Sequence, residues 1–343
     1  MQEVKKIAKE RMQGFCRVCP QCNGKACVGE VPGMGGLGTG ASFMANFNAL
    51  AAYRLNMRLI HDVTEPDTSL SLFGFDMSLP VFAAPIGGVT FNMGGKITEE
   101  EYATSVISGC RAKGSLGCSG DGVPEFIYKS GFAAIKAENG AGIPFIKPWE
   151  DKELFAKLDE AVENGCKVIG MDIDAAGLVT LAKMGRPVTP KRPKKLGEII
   201  RRTEGVQFII KGIMTPDDAQ RAVDAGAAGI VVSNHGGRVL DHTPGVAEIL
   251  PWVAEAVRDQ VIILADGGVR TGADVLKLLA LGADAAMIGR PFAVAALGGL
   301  KEGVMAYIDQ LKSQLVSAMV LTGTADVKTV KRTILLGHTA QYR

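Results

Sequence analysis

Eight short apolar runs punctuate the chain: VFAAP (81–85), SLGC (115–118), PFIK (144–147), VIGMD (168–172), QFIIK (207–211), GIVVSN (229–234), VIILAD (261–266) and AAMIG (285–289). Each reads as a β-strand with room for a helix after it. Two of the intervening units align without a gap, TPDDAQRAVDAGAAGIVVSN (215–234) and TGADVLKLLALGADAAMIGR (271–290). Both open with Thr, carry Asp three residues later and reach Gly at the twelfth position, before an apolar strand. Thr215 can cap a helix with Pro216 as its first residue, where the missing N–H is not needed. Gly226 and Gly282 suit the left-handed residue that ends a helix. A looser copy, AVENGCKVIGMD (161–172), keeps the helix–Gly–strand order.

The repeat predicts a parallel sheet covered by helices, and eight units favour a closed TIM-type (β/α)8 barrel, an α/β fold. An open doubly wound sheet calls for a Gly-rich dinucleotide fingerprint after its first strand, and APIGGVTFN does not match one. The tail GVMAYIDQLKSQLVSAMVLTG (303–323) has helical spacing suited to closing the barrel. Two regions are expected, a Cys-rich N-terminal segment over residues 1–45 and the barrel over residues 46–343.

A barrel of this type keeps its chemistry at the C-terminal ends of its strands. Those ends present Ser119, Lys147, Asp172, Lys211, Ser233, Asn234, His235, Arg238, Asp266, Arg270 and Arg290. So many polar residues at one rim of a chain that is 47% hydrophobic point to a site. LADGGVRTG (264–272) and IGRPF (288–292) leave the last two strands, where this architecture binds phosphate. There Gly267 and Gly268 let backbone N–H groups approach an anion, while Arg270 and Arg290 supply charge.

Charge removes one class of partner. With 38 basic and 36 acidic residues scattered along 343, the chain lacks the basic stripe that nucleic acid requires. The start, MQEVKKIAKERMQG, has no apolar signal core, and no run is long enough to span a membrane, so a cytoplasmic address is expected. Seven cysteines in such a chain are thiols, metal ligands or redox groups. Four of them, Cys16, Cys19, Cys22 and Cys27, form a C-x2-C-x2-C-x4-C run. That spacing suits a [4Fe–4S] cluster or zinc, with a thiol redox pair or buried packing as the alternatives. A cluster would open an electron exit to a carrier protein. Cys110, Cys118 and Cys166 sit beside apolar runs or glycines as core residues.

The segment from IIKGIM through SNHGGRVLDHTPG (209–245), followed by LADGGVRTG through IGRPF (264–292), closely resembles the FMN-dependent α-hydroxy acid oxidases and dehydrogenases, among them the glycolate and lactate oxidases. The likeness is strong from about residue 205 to 335, looser from about 45 to 205, and absent from the first 30. It implies FMN as cofactor and oxidation of a 2-hydroxy acid to the 2-oxo acid. His235 is implied as general base, which its near-neutral pKa suits, with Asp172 as the acid paired to it. Arg238 is implied to grip the substrate carboxylate, and Lys211 to stand at the flavin N1/O2 edge. Ser233, Asp266, Gly267, Gly268, Arg270, Gly289 and Arg290 fall on the positions for the FMN ribityl and phosphate. The backbone of Ala84, Pro85, Ile86 and Gly87 falls along the N5 side of the flavin, and Ser119 at its pyrimidine edge. The likeness also suggests homo-oligomers, tetramers or octamers.

Departures cluster on the substrate side. Lys147 and Trp149 replace a Gln–x–Tyr arrangement, Lys147 bringing a second positive charge near the flavin. Gly170 replaces a Thr, Val179 a second carboxylate-binding Arg, and GEVPGMGG lacks an expected Tyr. The segment between the fourth and fifth strands is short, with Lys183, Arg186 and Arg192 as cations that could enter the site from it. These losses leave two alternatives open: an FMN-dependent isomerase or other non-redox proton-transfer enzyme on the same barrel, or a non-catalytic flavin or cluster electron relay.

Overall fold

The computed structural model describes residues 1–28, 34–186 and 188–336. Eight parallel strands close into a barrel in chain order: β1 (Val81–Ile86), β2 (Leu116–Ser119), β3 (Ile143–Ile146), β4 (Val168–Asp172), β5 (Gln207–Ile213), β6 (Gly229–Val232), β7 (Ile262–Ala265) and β8 (Ala285–Ile288), the last pairing back onto β1. Every apolar run expected to be a strand is one, to within two residues at either end. Helices α1 (Gln2–Arg11) and α2 (Ala41–Ala52) precede the barrel. A principal helix then follows each strand: α3 (Glu99–Ala112), α4 (Glu125–Ala137), α5 (Asp151–Glu163), α6 (Pro193–Arg202), α7 (Pro216–Asp224), α8 (Val246–Val257), α9 (Gly272–Ala280) and α10 (Arg290–Thr322), with short additional turns of helix at Val89–Asn92 and Val179–Lys183. No helix among the described residues is long and apolar enough to cross a membrane.

The repeat has the geometry its residues predict. Thr215 Oγ1 accepts the Asp218 N–H at 3.1 Å, and Thr271 Oγ1 accepts the Asp274 N–H at 3.2 Å. The Asp274 carboxylate also takes the Thr271 N–H, completing a reciprocal cap. Gly226 and Gly282 end their helices at φ +96° and +112°.

Two cores result, one on either side of the sheet. Inside the barrel, Phe82, Leu116, Ile143, Phe145, Val168, Ile209, Val231, Leu264 and Met287 interdigitate. A hairpin, Leu70–Leu72 against Phe75–Met77, closes the bottom, its Phe73 ring meeting Phe82 edge-on at 6.4 Å. Outside, the helices bury the other faces of the strands. The apolar tail lies within α10, broken at Leu300 (φ +49°); its Leu311, Leu315 and Met319 are buried and it packs along α1, α3 and α9. Arg11 of α1 donates to the Leu297 carbonyl at 2.7 Å. Helix α2 runs unbroken through residue 45, and its Asn46 donates to Asn234 at 2.7 Å.

The glycine in place of Thr at 170 has a steric cause. A Cβ there would stand 2.5 Å from the Phe145 ring, which fills the space. Gly170→Ala is therefore expected to destabilise the barrel by about 1–3 kcal/mol through overpacking. Denaturant melts check this: the lost stability should return in Gly170→Ala/Phe145→Leu, and an unchanged Gly170→Ala midpoint would sink the account.

Candidate functional site

Strand periodicity aims the site. Side chains alternate between the two faces of a strand, so the residue two positions beyond an inward core residue also points inward, one layer higher. Two beyond Phe145, Gly170, Ile209, Val231 and Leu264 come Lys147, Asp172, Lys211, Ser233 and Asp266. They converge as that parity requires. Lys211 Nζ donates to Ser233 Oγ at 3.0 Å, and Ser233 Oγ donates to Asp266 Oδ2 at 2.8 Å. Lys211 also stands 3.9 Å from Asp174 and 3.8 Å from Asp266.

Parity also corrects one assignment. Ser119 follows inward-facing Cys118, so it faces outward; a Cβ on Gly131 of α4 would meet its Oγ at 2.3 Å. Ser119 is thus buried under a helix and stands clear of the barrel mouth. Asn234 likewise faces away, holding Asn46, Thr243 and the Pro244 carbonyl.

His235 sits just past β6 in a left-handed conformation, φ +56°, followed by left-handed Gly236 and Gly237. A non-Gly residue held there is strained, and such strain gathers where a side chain must be aimed. The Ser233 hydroxyl accepts the His235 N–H at 3.0 Å and fixes the turn. The ring partner differs from the one expected: Nδ1 lies 2.9 Å from Asp174 Oδ1, and the pair does not involve Asp172. Asp172 ends β4 and is taken instead by Lys147, whose Nζ stands 3.3 Å from its Oδ2. Asp174, two residues on, reaches His235 and Lys211 together. The sequence signal for Asp174 was there in the DID triplet, two carboxylates of like parity.

Electrostatics sets the protonation states. Burial would raise Asp174, but Lys211 and the hydrogen-bonded His235 beside it outweigh burial and hold the carboxyl at about 2. Burial pulls the His235 imidazole below its ordinary 6.5, against the attraction of Asp174. A neutral ring beside an ionised carboxylate donates from Nδ1, which leaves the Nε2 lone pair as the basic site. Burial also pulls on Lys211, yet Asp174, Asp266 and Asp172 together raise it, so it stays charged. Among the described residues, four buried side-chain atoms lack a hydrogen-bond partner, Asp172 Oδ1, Asp174 Oδ2, Asp266 Oδ1 and Arg238 Nε, and all belong to this mouth. Buried polar groups left unpaired in this way mark where a ligand's own groups go.

Two clefts meet there. One, of about 90 Å³, is lined by Ala84–Gly87, Lys211, His235, Arg238, Asp266–Arg270 and Gly289–Arg290, nearly the full set expected at the cofactor. Gly267 and Gly268 are left-handed at φ +91° and +85°, and a Cβ on either would strike Asn46 of α2 within 2.8 Å. The second cleft, about 70 Å³, shares Pro85–Gly87, His235 and Arg238 and adds Lys147, Asp172, Leu178, Leu181 and Met184. Lys147 thus faces this second cleft, paired with Asp172, and does not line the first.

Trp149 is turned away, its indole N–H donating to Asp121 at 2.6 Å. Arg186 pairs with Glu153 and stacks on Trp149, and Lys183 and Arg192 are exposed, so none of these three cations lines either cleft. The stretch GEVPGMGG lies partly outside the described residues.

Arg270 and Arg290 reach toward the N-terminal segment. Arg270 donates from Nε and Nη2 to the Cys22 carbonyl at 3.2 and 3.0 Å; Arg290 donates from Nε to the Met34 carbonyl at 2.8 Å. Behind them lies a cavity of about 470 Å³ whose walls include Cys16, Cys19, Cys22 and Cys27. Among the described residues no three His, Cys, Asp or Glu side chains, the four cysteines of the head included, stand close enough to hold a metal ion, so neither the cluster nor the zinc expected there is shown.

The sequence profile of the FMN-dependent dehydrogenase family matches residues 33–192 and 191–336. An L-lactate oxidase of Lacticaseibacillus rhamnosus is 33% identical over 331 residues, 85% of this chain and 86% of that protein. A peroxisomal (S)-2-hydroxyacid oxidase of Arabidopsis thaliana is 30% identical over 324 residues, covering 84% and 86%. Among solved structures, a lactate oxidase of Pediococcus acidilactici superposes with a TM-score of 0.79 at 28% identity, covering 99% of this chain and 94% of that one.

One titration tests the electrostatics. His235 is expected to titrate below 6.5 by NMR, and Asp174→Asn to move it lower still by removing the charge that favours the imidazolium. Asp172→Asn should move it less. A rise in Asp174→Asn would contradict the pairing.

Proposed function

Because the chain belongs to the FMN-dependent dehydrogenase family, whose relatives are oxidases and dehydrogenases of 2-hydroxy acids, we propose that it oxidises a 2-hydroxy acid to the 2-oxo acid at this mouth, with His235 as general base. The carrying observation is the His235 ring held at Nδ1 by Asp174, 2.9 Å away, with Arg238 and Lys211 on the same cleft.

The residues fit FMN. The unpaired Asp266 Oδ1 and the Ser233 hydroxyl suit a polyol, and the Gly267–Gly268 backbone with Arg270 and Arg290 suits a phosphate. The Ala84–Gly87 backbone offers a wall for a planar ring, and Gly289 leaves open space, a Cβ there meeting nothing closer than 3.8 Å. Bound there, FMN supplies acceptance of the two electrons that leave the substrate's α-carbon.

The chain's own groups do the rest. Arg238, with an unpaired Nε, offers its guanidinium to the substrate carboxylate. The substrate's hydroxyl-bearing carbon is then set against His235 Nε2, which takes the proton. Asp174 holds the ring and stabilises the imidazolium as it forms. Lys211, kept charged by three carboxylates, offers a positive charge to negative charge developing on the cofactor side. Leu178, Leu181 and Met184 form the apolar side of the second cleft and place the substrate's side chain there.

Anaerobic addition of a panel of 2-hydroxy acids tests the reading: one of them should bleach the bound flavin. His235→Gln should slow that bleaching by roughly 10²–10⁴-fold. Arg238→Lys should raise KM by roughly 10–100-fold, since the ammonium lacks the two-pronged geometry. A fully loaded flavin that no 2-hydroxy acid reduces would overturn the proposal. The base requires a neutral ring, so kcat/KM should fall as pH drops through the lowered His235 pKa and be level above it.

A further inference from the structure

The site just described leaves the largest cavity of the three unused. It lies between the N-terminal segment and the phosphate end of the barrel, and Gly268, Arg270, Arg290 and Met34 line it and the cofactor cleft alike. One wall therefore separates the two spaces. All four cysteines of the C-x2-C-x2-C-x4-C run face the cavity although they are spread over twelve residues. The turn that achieves this is unusual. Val18 is left-handed at φ +46° and its N–H donates to Cys16 Sγ at 3.4 Å; Gly24 is left-handed at φ +85°.

The cavity is electrically asymmetric. Arg270 Nη2 donates to Cys22 Sγ at 3.6 Å, and Arg290 lies on the same wall. Two guanidiniums so placed call for an anion on the cysteine side as well as a phosphate on the other. Cys16, Cys19, Cys22 and Cys27 share the lining of this one cavity with both guanidiniums.

We propose that this cavity holds a [4Fe–4S] cluster ligated by Cys16, Cys19, Cys22 and Cys27, with Arg270 and Arg290 balancing its negative charge. Dimensions separate it from zinc. A single ion draws four ligands into a tight tetrahedron, which the described residues do not form, and it needs no void. A four-iron body keeps its thiolates farther apart and requires a space of its own, and 470 Å³ is of the size of a ligand pocket. Backbone and guanidinium N–H groups aimed at cysteine sulfur are the hydrogen bonds that tune such a cluster.

Its role as an electron exit rests on the flavin reading above; its binding does not. Oxidation of one 2-hydroxy acid releases two electrons and two protons. The cluster passes the electrons singly to an external one-electron carrier protein, so two carriers are reduced per acid oxidised.

The test is metal and sulfide analysis of anaerobically purified full-length protein, with FMN quantified alongside. About four iron and four acid-labile sulfide per chain are expected. Cys22→Ser and Cys16→Ser should lose the iron and keep FMN, while Cys166→Ser, at a buried position off the cavity, should keep both. Zinc in place of iron, no metal, or iron undiminished in both head variants would overturn the cluster; if one variant fails to fold, the wild-type count and the other decide.

Adding the 2-hydroxy acid that bleaches the flavin should also produce the paramagnetic signal of a reduced cluster. Bleaching without that signal overturns the electron exit. Iron and sulfide present with no acid able to bleach the flavin would support the cluster and remove the flavin reading.

Discussion

A lysine ammonium buried inside a barrel stays charged only if carboxylates surround it. Lys211, 3% exposed, meets that condition through Asp174, Asp266 and Asp172, which come from two different strand ends and the turn after one of them. The arrangement links the parts of the site. Asp174 is ionised because Lys211 and His235 flank it, and His235 is oriented because Asp174 is ionised. Ser233 joins Lys211 to Asp266 and also accepts the backbone N–H that sets the His235 turn. Removing Lys211 leaves buried carboxylates without compensation, so these residues form one unit with shared energetics.

The barrel makes such a unit possible at low cost. Its inner layer of Phe, Ile, Leu and Val is dry and closed below by the Phe73 hairpin, so inward polar side chains collect only in the top layer. The second Lys–Asp pair, Lys147 with Asp172, belongs to that layer as well and faces the side of the mouth lined by Leu178, Leu181 and Met184. That side of the mouth presents an apolar wall, Lys147 already partnered by Asp172, and Arg238, whose Nε lacks a partner.

The N-terminal segment extends the same logic outward. Arg270 and Arg290 face the barrel mouth from one side and give their N–H groups to the Cys22 and Met34 carbonyls on the other. A residue pair expected only at a phosphate therefore also fastens the cysteine-bearing segment to the barrel.

The order and type of the elements were legible because they rest on local rules: apolar runs, Thr caps, and glycines at helix ends where only a left-handed residue fits. Period two along each strand, counted from the core residues, also fixes which strand-end side chains face the mouth, and the SNHGGR and DGGVR segments carried the family. Three matters were settled by the tertiary structure. Ser119 faces a helix because its parity is opposite to that of Cys118, which becomes plain only once the inward set is known. His235 pairs with Asp174 because that residue lies in the turn past β4, where reach depends on loop path and where Lys147 already holds Asp172. The gathering of four cysteines behind Arg270 and Arg290 depends on contacts between residues nearly 250 positions apart, a distance across which no local pattern carries information.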